Sequence, residues 1–352
     1  MLKNKAIVDK YFVKIKIMYT PSGRNLRYKN IVAAILFAMV FLLMLPTSVS
    51  GFGFTAHRVI NRKAVFTLPP EMVGFYKKHI EYLSERAIDP DRRAHAIPGE
   101  APRHYIDVEY FGQIPFDSIP RRWDQAIAKF SEDTLNKFGV LPWHINLMMS
   151  RLTQAFVDQD LDRILSMSAH IGHYISDACT PLHTTKYYNG RIPSERGIHA
   201  LWETRIPELL GTDFDYFVGQ ASFLPNPRER AWDLVEKSHN QVAVVYQVWD
   251  SLLTVFSPDR MFVHEMRGQA LMRYFSRDFS TAFHLGMNKM VETHMQLAIK
   301  SVGDFWYTAW VNAGQPDLYK LERRALSRQH RRQLEKEERR WRQVEEPAGR
   351  TY

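Results

Sequence analysis

All-α is the fold class this sequence predicts, in the form of a single multi-helix domain, and three observations predict it. Apolar residues recur three and four apart along most of the chain. Strict period-two stretches are few and short, His104 to Tyr110 being the nearest. Proline and glycine punctuate the helical stretches at Pro69-Pro70, Pro98-Gly99, Pro193, Pro225 and Pro227, where a helix has to stop or start. The 352 residues are 45% hydrophobic and 13% aromatic with eight tryptophans, which excludes disorder for most of the chain because such a composition needs burial.

Taken in order, the chain opens with eight Lys/Arg and one acid in residues 1–30, then the apolar run IVAAILFAMVFLLMLP at Ile31–Pro46, then TSVSG. Positive, apolar and small segments in that order are the parts of a secretory signal. The sixteen apolar residues fall short of the about 20 that a membrane span needs. Residues 1–51 are therefore expected to be a signal peptide and the protein secreted or periplasmic. The alternative is an uncleaved N-terminal membrane anchor, with Thr47 to Phe54 extending the apolar run; Met18 also precedes a basic stretch and is a second candidate start.

The body, 52–317, has a length acceptable for one domain and no internal repeat. Helical periodicity predicts helices over Ala56–Phe66, Glu71–Ala87, Ala126–Phe138, Pro142–Phe156, Leu161–Ala178, His199–Leu210, Arg228–Phe256, Met261–Phe275 and Phe279–Ala313. Trp249, Trp306, Tyr307 and Trp310 are expected in the core. Residues 318–352 form a charged, arginine-rich tail, in which Tyr319–Glu346 reads as a long solvated helix with mixed-sign pairs at helical spacing. Its arginine excess gives a membrane-surface or partner contact as the alternative role.

Charge narrows the function. The net charge of +9 sits at the ends: residues 1–30 carry +7 and residues 318–352 carry +5, leaving 31–317 at −3. A broad electrostatic footprint for nucleic acid over the body is thereby not supported. The lone cysteine, Cys179, excludes a disulfide scaffold and a thiolate zinc site, and reads as a small buried thiol. P-loop, dinucleotide-binding glycine and G-x-S-x-G patterns are missing.

Histidine carries the chemistry. His173 and Asp177 stand at i, i+4 and share a helix face; Pro181 then breaks the helix, and His183 follows in the exit loop. His199 and Glu203 repeat the device sixteen residues on. A His–carboxylate pair at that spacing converges on one metal, and imidazole with carboxylate suits zinc in a hydrolytic site. Upstream, His104 lies fifteen residues after Asp89, which opens the turn Ile88-Asp89-Pro90-Asp91-Arg92, and Phe52-Gly-Phe-Thr-Ala-His57 follows the signal directly.

In these positions the chain resembles the zinc-dependent phospholipase C and single-strand-specific zinc nuclease superfamily. The pattern is an aromatic mature N-terminus, a nearby His, an Asp and a His about fifteen apart, H-x-x-x-D, a His six residues on, and H-x-x-x-[DE]. Phe52, His57, Asp89, His104, His173, Asp177, His183, His199 and Glu203 follow that order, and the likeness covers roughly Phe52 to Glu203.

The resemblance implies an all-α domain with a trinuclear zinc cleft that takes two to three Zn2+ ions. Asp89, His104, His173 and Asp177 would hold the first. His183, His199 and Glu203 would hold the second. His57, Asp177 and the amine and carbonyl of the mature residue Phe52 would hold the third. It further implies a phospholipase C-like hydrolase in which metal-activated hydroxide attacks a phosphodiester. Asp89 would orient or deprotonate the water, and Arg92 would point its guanidinium at the phosphate.

One departure is Phe52, where the family usually has tryptophan; ligation there needs cleavage between Gly51 and Phe52, and cleavage after Ser50 would displace the amine. Asp107 and Glu109 are candidate orienters of ligands, whereas His170 matches no position of the pattern. The substrate is expected to be a phospholipid or nucleic-acid phosphodiester. The single cysteine, the acidic body and Glu at the last ligand position favour phospholipid. A single-strand nuclease/3'-nucleotidase is the alternative, with Tyr187, Tyr188, Phe111 and Phe116 as stacking platforms. A non-catalytic metal-binding helical protein is the further alternative.

Overall fold

The Leu161–Ala178 stretch shows why the chain folds as it does. Asp160 caps the helix by accepting a hydrogen bond from the Arg163 N–H at 3.1 Å, and apolar residues follow on all sides, so the helix is buried nearly all round. A computed structural model describes residues 54–113, 115–267, 270–322 and 324–343. The chain divides into two units, residues 1–50 and 51–352. The first unit, with the expected signal, lies outside the described residues, as does Phe52.

The second unit is mostly helical, as the periodicity predicts. Its longer elements are α1 (Phe54–Ala64), α2 (Pro70–Lys78), α3 (Ile80–Glu85), α4 (Asp89–Ala96), α5 (Trp123–Phe130), α6 (Glu132–Phe138), α7 (Leu141–Val157), α8 (Leu161–Ala178), α9 (Ile206–Leu210), α10 (Pro227–His239), α11 (Val242–Leu253), α12 (Arg277–Gly286), α13 (Met290–Asn312) and α14 (Arg328–Arg342). Helix α8 lies at the centre, packed by α7, α13, α1 and α10. Trp232, Trp249 and Trp306 are fully buried in the shared core. No described helix is long and apolar enough to cross a membrane.

Several predicted helices are broken, each for a local reason. Glu71–Ala87 divides at His79, whose φ −106 and ψ 17 leave the helical region. Ala126–Phe138 divides at Ser131, which takes φ 68 and caps α6 through a bond from Thr134 N–H to its hydroxyl. Arg228–Phe256 divides after α10, and Phe279–Ala313 divides at Asn288 and Lys289, with φ 52 and 59. His104 to Tyr110 is not a strand: 3-10 turns occupy Ala101–His104 and Val108–Phe111.

Met261–Phe275 is the largest correction. Instead of a helix it holds an antiparallel hairpin, β1 (Phe262–Arg267) with β2 (Ala270–Phe275), pairing Phe262 with Phe275 and Met266 with Leu271. The aromatic and β-branched residues Phe262, Val263, Tyr274 and Phe275 favour the pleated surface. The apolar residues happen also to fall at spacings that a helix would use.

The tail meets the body. Leu318 and Leu321 are buried in the core cluster, and α14 lies along α4. Tyr82 and His330 are hydrogen-bonded at 2.7 Å, and the Trp341 ring stands edge-on to Phe54.

Candidate metal centre

Five histidines and three carboxylates from six parts of the chain meet in one nest. Helix α1 contributes His57, α4 contributes Asp91, and the turn before residue 105 contributes His104. Helix α8 supplies His173 and Asp177, the following 3-10 turn His183, and the segment 198–205 His199 and Glu203. Glu203 sits in a π-helical turn, Leu201–Arg205, of the kind that inserts one residue and is common where a side chain has to be re-aimed.

Asp177 is the hub. Its Oδ2 lies 3.1 Å from His104 Nδ1 and 3.2 Å from His173 Nε2, and its Oδ1 lies 3.6 Å from His57 Nε2 and 4.0 Å from His183 Nε2. Glu203 links the other side: Oε2 is 2.6 Å from His199 Nε2 and 3.3 Å from His183 Nε2, while Oε1 is 3.1 Å from His57 Nε2. Three sets have ligand atoms within 4.8 Å of one another: His57/His173/Asp177, Asp91/His104/His173 and His183/His199/Glu203.

The outward nitrogens of His57, His183 and His199 are anchored. Ser176 donates its hydroxyl to the His173 carbonyl at 2.7 Å, so its oxygen accepts from His57 Nδ1–H at 2.6 Å. His183 Nδ1 donates to the His104 carbonyl at 2.6 Å, and His199 Nδ1 to the Tyr188 carbonyl at 3.2 Å. In all three rings Nε2 is thereby turned into the nest, the arrangement by which second partners orient metal-ligating imidazoles.

The electrostatics of the nest set its carboxylates against its imidazoles. Burial works against ionised carboxylates, yet the surrounding histidines hold Asp177 and Glu203 well below the usual carboxylate range. Burial also pulls the histidines down, and it prevails at His173 and His199. At His57 and His183 the carboxylates outweigh it and push the imidazoles up to about 9. Protons on His57 and His183 therefore stand in for positive charge among the acids.

Zinc fits this donor set. Both Asp177 oxygens are buried without a hydrogen-bond partner, a costly state for polar atoms with nothing bound. Tetrahedral zinc at about 2.0–2.2 Å from its ligands spaces the donors about 3.4 Å apart. His104 Nδ1, His173 Nε2, Asp91 Oδ1 and Asp177 Oδ2 show separations of 2.9, 3.1, 3.2, 3.4 and 3.6 Å.

The nest corrects the expectation for Asp89. Its carboxylate faces Arg86 and Arg92, each at 3.6 Å, and His170 at 3.9 Å, while Asp91 takes the place beside His104 and His173. Residues two apart on a helix lie about 200° apart around its axis, so only one of the two can face inward. Arg92 is paired with Glu338 of α14 at 2.5 Å. Glu109 accepts from Thr185 Oγ1 and from Lys186 N–H at 3.1 Å, which ties down the loop after His183. Phe111 is buried and cannot serve as a stacking platform, whereas Tyr110 and Tyr187 are exposed with Lys186 Nζ over both rings, at 5.6 and 4.9 Å. Burial pushes the Cys179 thiol up to about 12, so it offers no thiolate.

Fold and nest together define a mostly helical protein with buried His/carboxylate groups close enough to hold metal ions. No known family model matches the chain, and no curated protein matches it significantly.

Proposed function

We propose that the chain is an exported, zinc-dependent hydrolase of phosphate esters, phospholipase C-like, holding two to three ions in the nest. The convergence of five histidines and three carboxylates, four of these groups at the edge lengths of a tetrahedral site, carries this reading. His104, His173, Asp177 and Asp91 would hold one ion, His183, His199 and Glu203 a second. His57, with Asp177 and Glu203, would hold a third together with the mature N-terminus at Phe52, if cleavage follows Gly51. Zinc bound there supplies positive charge for phosphoryl oxygens and brings the pKa of water from about 15.7 to about 7.

The chain's own residues do the rest. Asp177 and Glu203 each span two histidine sets and so fix their spacing. Asp91, the least enclosed of the three acids at 18% side-chain exposure, is placed to accept a proton from an incoming water at Oδ2. Arg92 is available to a substrate phosphate once Glu338 lets go of it.

The second reading, a single-strand nuclease/3'-nucleotidase, is favoured by one observation, the exposed Tyr110 and Tyr187 rings capped by Lys186. Parallel turnover of phosphatidylcholine and single-stranded DNA by the zinc-loaded chain decides between them. Phosphatidylcholine is the expected substrate; cleavage of DNA alone would favour the nuclease. Turnover of neither, nor of a chromogenic phosphodiester, would leave a non-catalytic metal-binding protein.

A further inference from the structure

The hairpin has an order of side chains that its fold role does not need. In an antiparallel pair, directly opposed residues share a face. One face therefore carries Phe262 with Phe275 at the root, His264 with Arg273 in the middle, and Met266 with Leu271 furthest out. Phe275 is buried and stacks on Phe279 with ring centroids 5.6 Å apart. His264 and Arg273 are exposed. Met266 and Leu271 are 64% and 63% exposed, a cross-strand apolar pair with no core beneath it. From the body outward the face runs aromatic, basic, apolar, which matches the order of water, phosphate band and acyl region met on approaching a lipid surface.

The root of the hairpin is fastened to the segment that carries His199 and Glu203. Arg205, at the end of the π-helical turn, donates from Nε to the Phe275 carbonyl at 2.9 Å and pairs with Glu265 of β1 through both terminal nitrogens. Gly197 takes φ +101 with the Phe275 ring where a Cβ would stand 3.3 Å away, so segment and hairpin touch directly. Between them opens a cleft of about 160 Å³ whose lining includes Arg196, Arg205, Arg273, Phe262 and Tyr274. Ala200 and Thr204, the neighbours of His199 and Glu203, line the same cleft. Glu265 at the hairpin root is paired with Arg205, and of the charges left in the lining Arg196 and Arg273 outnumber Glu208, so the cleft is net positive.

We propose that this hairpin docks the chain on an anionic phospholipid bilayer, with Met266 and Leu271 in the acyl region and Arg273 and Arg196 on lipid phosphates. The proposal rests on the phosphoester reading only in that docking would bring the phospholipid of that reading to the nest; the docking itself needs no turnover. Because the lone native cysteine, Cys179, is buried, a Leu271→Cys variant takes an environment-sensitive fluorophore at the tip alone. Full chain so labelled is mixed, with chelator present to stop hydrolysis, with vesicles of phosphatidylglycerol and phosphatidylcholine or of phosphatidylcholine only. A label at the exposed Phe217→Cys position serves as control.

The expected result is a blue shift at Leu271→Cys on anionic vesicles and none at Phe217→Cys. Half-saturation should come at about tenfold less lipid than with phosphatidylcholine alone. Adding Met266→Asp, exposed and thus harmless to folding by circular dichroism, should raise the half-saturating lipid at least tenfold. An unshifted tip label on vesicle-bound protein would overturn the proposal and give binding to the arginine-rich tail or the N-terminal apolar run. Equal shifts at both labels, or no effect of Met266→Asp, would overturn it too. Lost phospholipid turnover in zinc-loaded protein with the shift intact would sink the phosphoester reading alone.

Discussion

Asp89 and Asp91 differ by two positions and by nearly everything else. Asp91 faces His104 and His173, while Asp89 anchors Arg86 and Arg92. Asp91→Asn should therefore lose one zinc and at least a hundredfold in phosphodiester turnover. Asp89→Asn should keep its metal content; metal analysis of the pair checks this, and the reverse pattern would restore the expectation from the motif. Spacing in the sequence made legible which histidines share a helix face, but two acids flanking a proline gave no means of telling which would point inward.

A pH effect follows from His57 and His183, each pushed up to about 9 by the acids of the nest against the pull of burial. Both are protonated at pH 7 without metal, and zinc needs the Nε2 lone pair, so binding should release about two protons and tighten as pH rises toward 9. Calorimetry in buffers of different ionisation enthalpy measures the number, and release of none would contradict the assignment. Glu100 gives a second pH effect, on stability. Burial alone would raise its carboxyl, but Arg93 first, with His104, Tyr174 and Arg103, brings it down to about 2. Its contribution, on the order of 3 kcal/mol, is complete above the unfolded value near 4.5 and is lost as pH falls through about 2. Urea titrations should show a flatter loss of stability between pH 5 and 2 in Glu100→Gln than in the parent chain.

Among the elements, α8 was the most legible. Its unbroken periodicity and Pro181 beyond its end placed Leu161–Ala178, and the Asp160 cap is what the structure adds at its start. The long predicted runs were less so, because a positive-φ residue such as Ser131 interrupts one of them without any proline or glycine to show it. The hairpin escaped because Met, Phe and Arg at those spacings suit either period, and only its packing on Phe279 and Trp249 decides. Helix α8 also meets α1 closely enough to constrain one residue. A Cβ at Gly172 would lie 2.0 Å from Asn61 Oδ1, and Asn61 bonds the Leu83 and Ala169 carbonyls at 3.1 and 3.0 Å. Gly172→Ala should push Asn61 off those bonds and cost about 2–4 kcal/mol. Thermal unfolding reads it, and an unchanged midpoint would mean that α1 and α8 pack more loosely than described.

For the whole molecule, the charge map was legible from the sequence, since the acidic body and basic ends need only counting. The docking of the tail was not, because a helix so rich in charge looks the same in sequence whether it is free or laid along α4. Its grip on the body is mainly Arg92–Glu338, Tyr82–His330 and Trp341 against Phe54, with Leu318 and Leu321 buried before it. The central claim, however, stands on the nest that α1, α4, α8 and the 198–205 segment build together, and elemental analysis of chain purified without chelator tests it most directly. The account predicts two to three zinc ions per chain, fewer in His173→Ala and Glu203→Ala, and the parent number in His170→Ala. One ion or none in the parent chain would contradict it.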